Sequence, residues 1–163
     1  ICIDNNGKLV HSYDKVHLFS LMNEEKYFSN GSSVKIFDIM SIKSAVAICY
    51  DLRFSGLFSS YAKMGASIIF IPAEWPLPRL NHWRTLLIAR AIEFQCFIVA
   101  ANRTGSDSKH SYFGHSMIID PWGEILAEAG TDEEISSSVI DIEKIQTVRK
   151  SITNLSDIRE DLY

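Results

Sequence analysis

The sequence predicts a mixed α/β fold formed by one domain that spans residues 1–163. Three runs of nearly pure apolar residues, 45–49, 66–72 and 96–101, have the length and composition of buried strands. Amphipathic stretches over 52–64 and 80–95 separate these runs, a pattern typical of a sheet covered by helices. The later part of the chain is rich in hairpin turns, so we expect strands of mixed direction.

The composition excludes several classes of protein. Hydrophobic residues make up 47% of the chain and charged residues 22%, which is typical of a globular domain. The net charge of −4, without a long basic run, argues against nucleic-acid binding. No apolar stretch approaches the ~18 residues that a membrane span requires. Three cysteines without metal-ligand spacing favour a reducing cytoplasm and predict neither a disulfide framework nor a metal site.

The first elements follow from turn chemistry. The dipeptide Asn-Gly between 1–3 and 8–13 predicts a β-hairpin, and Lys15 comes at its end. Residues 20–30 are polar and predict a loop, and 34–39 predict a strand. The chain opens within the first strand and without Met. We therefore expect it to be the C-terminal portion of a longer protein.

The remaining elements are identified in the same way. Prolines stiffen the loop over 73–78, and Asp-Pro-Trp-Gly forms a tight turn between two short strands. Residues 102–105 leave the third buried strand, and 106–111 predict a polar loop. The predicted elements after this loop are strands over 116–119, 124–128 and 136–140, a helix over 142–150 and an extended tail over 151–163.

Cys49 stands where the central strand turns into a helix, and this makes it a candidate nucleophile. A thiol at such a turn is held out from a rigid sheet, and we expect the N–H groups that begin the helix to favour the thiolate. The alternative is a buried structural cysteine, because free cysteine is among the most buried residue types. Lys15 also has a structural alternative, that of a surface lysine whose aliphatic stem is buried. The alternative for the Glu24–Glu25 pair is a solvated loop without a catalytic role.

Several separate motifs in the same order closely resemble the nitrilase superfamily of carbon–nitrogen hydrolases. They are YDKVHLF, CYDLRF, IPAEWP, HWRTLLIARAIEFQCFIVAANRTG and DPWGE. The AEWP loop and the pattern after HW look most like the omega-amidase branch, which deamidates 2-oxoglutaramate and 2-oxosuccinamate. The resemblance implies an α-β-β-α sandwich, usually dimerised through its helices, and a Glu-Lys-Cys triad that needs no metal or cofactor.

The resemblance also assigns roles. Cys49 of CYDLRF would be the nucleophile, and Lys15 of YDKVHLF would be the catalytic lysine. The family's supporting glutamate lies seven residues before a glycine, and counting back from Gly31 gives Glu24. The resemblance implies a small amide as substrate, hydrolysed through a thioester.

Three further residues are candidates for binding that substrate. The Tyr50 backbone N–H could stabilise the oxyanion, and the Arg53 guanidinium could hold a distant substrate carboxylate. Trp75 could form a pocket wall. The alternatives are that Arg53 pairs with Asp51 or Glu74 and that Trp75 only packs.

The chain departs from the family in two places. The family's general-base glutamate belongs to a segment well before YDKVHLF, so we expect the first third of the domain to be missing here. Ser55–Gly56 stands where the family usually has Pro-Glu. The alternative to an active amidase is therefore a catalytically inactive truncated remnant, or a non-catalytic partner with the same fold.

Overall fold

The computed structural model describes residues 1–159 and 161–162. Its ten strands form one six-stranded sheet and two separate hairpins. They are β1 (Cys2–Ile3), β2 (Leu9–His11), β3 (Phe37–Ile39), β4 (Ile42–Val46), β5 (Ile68–Ala73), β6 (Phe97–Asn102), β7 (Thr104–Ser106), β8 (Ser111–Phe113), β9 (Met117–Ile119) and β10 (Ile125–Glu128). The helices are α1 (Ser55–Lys63), α2 (Leu80–Phe94) and α3 (Glu143–Ser151).

The large sheet has the strand order β10-β9-β6-β5-β4-β3. The central strands β4, β5 and β6 run parallel, with Val46 opposite Phe70 and Val99 opposite that same residue on the other side. The outer strands β3, β9 and β10 are antiparallel to their neighbours, which confirms the mixed strand directions. The carboxyl ends of β4 and β5 therefore meet at one edge of the sheet.

Helices α1 and α2 cover one face of this sheet. Phe58 and Tyr61 of α1 and Trp83 and Leu87 of α2 are fully buried against the inward side chains of β5, such as Ile69. Removing aromatic and aliphatic groups of this size from water supplies about 1.5–3 kcal/mol each. This layer forms the main core.

The opposite face of the sheet is less completely covered. Ile145 of α3 packs on Ile68 and Phe97, whereas Pro72 at the end of β5 is exposed. Of the predicted sandwich, the described residues contain one helical layer, one large sheet and this partial cover from α3.

Several boundaries differ from the sequence prediction. The strand expected over 45–49 ends at Val46, because the backbone turns before Cys49. The hairpin β7–β8 lies where a loop was predicted. The prediction of a strand over 136–140 is wrong: the segment has no strand pairing in the described residues, and Val139 is 96% exposed. The tail predicted as extended contains turns, and Glu160 and Tyr163 lie outside the described residues.

Candidate active site

The nucleophile candidate stands on a strained turn. After β4 the chain passes through Ile48 into a short 3₁₀ turn, Cys49–Arg53, and Cys49 has a left-handed backbone with φ of 48°. A side chain in this conformation costs about 1–2 kcal/mol relative to the right-handed region. Such strain persists only where the surroundings over-determine the backbone.

Asp51 supplies that constraint. Its carboxylate is fully buried and accepts the Ile48 N–H at 3.0 Å, while the Asp51 N–H donates back to the Ile48 carbonyl at 3.0 Å. The same carboxylate accepts the Tyr13 hydroxyl and the His17 N–H, each at 2.8 Å. The His17 Nδ1 also lies 2.8 Å from it and must carry the proton, because a carboxylate only accepts. One buried group therefore joins the turn of Cys49 to the segment of Lys15.

Lys15 and Glu24 form an ion pair at the same place. The Lys15 Nζ lies 2.8 and 2.6 Å from the two Glu24 oxygens, and the Phe19 N–H donates to Glu24 at 2.8 Å. The side chains are only 12% and 21% exposed, so solvent screens this pair much less than a surface salt bridge. The neighbouring Glu25 lies on the exposed surface, which separates the two glutamates of the predicted loop.

The loop that carries Glu24 is closed onto the Lys15 segment. The Gly31 N–H donates to the Lys15 carbonyl at 2.8 Å, and the Asn30 side chain donates to the Val16 carbonyl at 2.7 Å. A Cβ on Gly31 would lie 2.1 Å from the Asp14 carbonyl oxygen, so only glycine permits this approach. The glycine used to locate Glu24 thus has a structural reason of its own.

Cys49, Lys15 and Glu24 line one open cleft of about 850 Å³, which is large enough for a small-molecule substrate. Burial raises the pKa of the Cys49 thiol, whereas the Lys15 charge and the backbone N–H of Tyr50 act to lower it. The backbone N–H of Tyr50 thus favours the thiolate as expected, but desolvation of the sulfur outweighs it and the pKa is raised overall.

Tyr50, Arg53 and Trp75 line a second, smaller pocket, which shares Cys49 with the first. Among residues 1–159 and 161–162, Arg53 makes no ion pair with Asp51 or Glu74, the two partners considered from the sequence. Its guanidinium lies 4.7 Å from the centre of the Trp75 ring, and one nitrogen lies 3.3 Å from the His82 Nδ1.

Two further residues, Arg79 and Asn102, shape this region without having been predicted from the sequence. Arg79 also lines the second pocket, but no motif marks it. Asn102 holds the loop of Trp75: its oxygen accepts the Trp75 N–H at 2.6 Å and its nitrogen donates to the Trp75 and Gly114 carbonyls. The position of Asn102 at the end of a predicted buried strand was the available signal.

Within the described part of the chain, no group of His, Cys, Asp and Glu is arranged to hold a metal ion, and no helix is long and apolar enough to cross a membrane.

The family follows from comparison with known proteins. The model of the carbon-nitrogen hydrolase family matches residues 1–150. This chain belongs to the carbon-nitrogen hydrolase family. It is 50% identical over 160 residues to a 2-oxoglutaramate amidase of Bacillus subtilis, covering 98% of this chain and 62% of that protein.

Other relatives support the same family placement. Omega-amidase NIT2 of Mus musculus is 37% identical over 168 residues, covering 97% of this chain and 60% of the relative. The crystal structure of a carbon-nitrogen hydrolase from Helicobacter pylori matches with a TM-score of 0.95 and 26% identity, over 99% of this chain and 62% of that one. The chain thus has the mixed α/β fold of this family and spans about three fifths of the length of these relatives.

Proposed function

We propose that this chain carries most of the catalytic machinery of a cysteine-dependent amidohydrolase. Its substrates would be ω-amides of small dicarboxylic acid monoamides, of the 2-oxoglutaramate or succinamate type. The proposal rests above all on the partly buried Lys15–Glu24 ion pair, which lines the same cleft as Cys49. The names of the relatives, 2-oxoglutaramate amidase and omega-amidase, support the substrate class.

The geometry supports a two-stage reaction. The Cys49 thiolate attacks the amide carbon and forms a carbon–sulfur bond, while the carbonyl electrons move to oxygen. The Lys15 ammonium and the Tyr50 N–H are the donors proposed for this oxyanion, and both already act on the sulfur of Cys49. When the carbon–nitrogen bond breaks, the nitrogen takes the proton that the thiol gave up on forming the thiolate and leaves as ammonia.

Water then attacks the resulting thioester and releases the dicarboxylic acid and the free thiol. A carboxylate base is needed to take the proton of this water. The family resemblance assigns that role to a glutamate in a segment preceding YDKVHLF, and Glu24 is engaged with Lys15 and the Phe19 N–H. Glu24 is therefore proposed as a positioning residue that holds the ammonium of Lys15.

The test is ammonia release from succinamate and 2-oxoglutaramate by the protein expressed with every residue that its gene encodes. Cys49→Ala should abolish release, and Lys15→Met should lower kcat by about a hundredfold or more, the usual cost of losing one oxyanion donor. Intact-mass analysis of quenched reactions should find the acyl group on the wild type and not on Cys49→Ala. Unchanged ammonia release by Cys49→Ala would refute the proposal, and no release by the wild type would favour an inactive remnant.

A homodimer in the cytoplasm is proposed on the family resemblance and the cysteine content. Ile92 on the outer face of α2 and the neighbouring Trp122 are each half exposed, and Gly123 packs directly against Ile92. These apolar groups are suited to a contact between helices of two copies. Ile92→Glu should shift the sedimentation coefficient towards that of the monomer, and an unchanged coefficient would contradict this contact.

A further inference from the structure

The small pocket beside Cys49 contains two guanidinium groups. Arg53 ends the 3₁₀ turn of the nucleophile, Arg79 immediately precedes α2, and both residues line the pocket. Phe19 and Trp75 form its aromatic walls. We call this the arginine pocket.

Both guanidinium groups are held against aromatic rings. Arg79 lies 5.8 Å from the centre of the Phe19 ring, and Arg53 lies 4.7 Å from that of Trp75. The Trp75 indole N–H also donates to the Arg79 carbonyl at 3.1 Å, which ties the Trp75 wall to the backbone of Arg79. Both distances lie within the roughly 6 Å of a cation–π contact, which restrains each planar guanidinium.

The two positive charges have no carboxylate partner within residues 1–159 and 161–162. Glu74 also lines the pocket, but it pairs with Arg103 at 3.2 Å, outside the pocket. Two half-buried cations on one small pocket repel each other unless an anion lies between them. Two planar sets of donors match the geometry of a carboxylate.

We propose that Arg79, together with Arg53, binds the carboxylate at the end of the substrate remote from the scissile amide. Arg79 is then a specificity-determining residue, and the inference rests on the proposed amidase function. The arginine pocket adjoins Cys49 directly, so only a few carbon atoms separate a bound carboxylate from the carbonyl under attack. This geometry selects short dicarboxylic monoamides over neutral amides of the same length.

The first test compares succinamate with butyramide, a neutral amide of similar size, using the protein expressed with every residue that its gene encodes. Arg79→Met should lower the ratio of kcat/KM for succinamate to that for butyramide by about 10- to 100-fold, the range expected for a charge-assisted hydrogen bond. Arg79→Lys should recover part of the ratio, because it keeps the charge and loses the fork. The ratio should stay unchanged in Arg84→Met, since Arg84 on the same helix pairs with Glu128 and lines neither pocket. An unchanged ratio in Arg79→Met would overturn the proposal.

The second test does not depend on catalysis. Calorimetry on the Cys49→Ala protein should detect binding of succinate and much weaker binding of butyrate, and Arg79→Met should weaken succinate binding by tenfold or more. This result would support the arginine pocket even if no amide were hydrolysed, in which case only the proposed function would fail. Succinate that does not bind, or binds equally well to Arg79→Met, would overturn the pocket even if amidase activity were found.

Discussion

Replacing Asp51 by Asn should uncouple the turn of the nucleophile from the segment of the lysine. One Asp51 oxygen accepts the backbone N–H and the ring N–H of His17, and the other accepts the Tyr13 hydroxyl and the Ile48 N–H. An asparagine has the same shape but only one accepting oxygen. Whichever way its amide is oriented, its NH₂ faces a backbone N–H of His17 or of Ile48, and that N–H loses its partner.

The size of the effect follows from this geometry. The site is fully buried, so water does not replace the lost bond. An unsatisfied buried donor costs about 1–3 kcal/mol, and bonds to a charged acceptor contribute about 1.5–3 kcal/mol. We therefore expect Asp51→Asn to lower the free energy of unfolding by about 2–4 kcal/mol. Because Ile48 immediately precedes Cys49, we also expect kcat to fall more than KM rises.

Urea unfolding measures this loss directly, and alkylation of Cys49 by iodoacetamide reports on the turn at urea concentrations where the fold is intact. Asp38→Asn is a matched control, because Asp38 is exposed on β3 and such changes usually stay within about 0.5 kcal/mol. If Asp51→Asn unfolds within 0.5 kcal/mol of the parent protein, the carboxylate does not hold the two segments together.

Two further predictions concern the loop and the thiol. Gly31→Ala should destabilise the protein by about 1–3 kcal/mol, because the new Cβ would lie 2.1 Å from the Asp14 carbonyl oxygen. Gly56→Ala should leave stability unchanged or stabilise α1, because no atom lies within 4 Å of a Cβ at that position. Equal urea midpoints for the two variants would contradict this. Because burial raises the pKa of Cys49, the rate of its alkylation should rise with pH at values above the ordinary thiol range. Lys15→Met should move the midpoint of this rise to higher pH, because the Lys15 charge lowers the pKa of Cys49. Glu24→Gln should move the midpoint to lower pH, because the Glu24 charge raises that pKa. Shifts in the opposite order would contradict the assigned electrostatics.

The large elements could be predicted from the sequence because their signals are local. The apolar runs at β5 and β6 and the periodic stretch of α2 agree with the structure to within two residues. The hairpin β7–β8 was missed because each of its strands is only three residues long and β7 has no apolar residue. Burial of Tyr112 and Phe113 stabilises that hairpin, and this burial depends on the rest of the fold.

The candidate site likewise has residues that local signals predict and residues that they do not. Sequence motifs alone made Cys49, Lys15 and Glu24 candidates, because a motif records which residue types stand at a fixed spacing. Asp51 binds Tyr13 and His17, which precede it by 38 and 34 residues. No local signal in the sequence predicts contacts over such separations. Nor does one predict the approach of Arg79 to Arg53, since each side chain comes from a different element.

The sequence by itself therefore determined the family, the three central strands with the helix α2 between two of them, and the candidates Cys49, Lys15 and Glu24. Only the tertiary structure decided which charges meet, which carboxylate is buried, and that desolvation raises the pKa of the Cys49 thiol. The physical reason is that periodicity and turn chemistry act over a few residues, whereas burial and Coulomb interactions depend on distances that the fold alone sets.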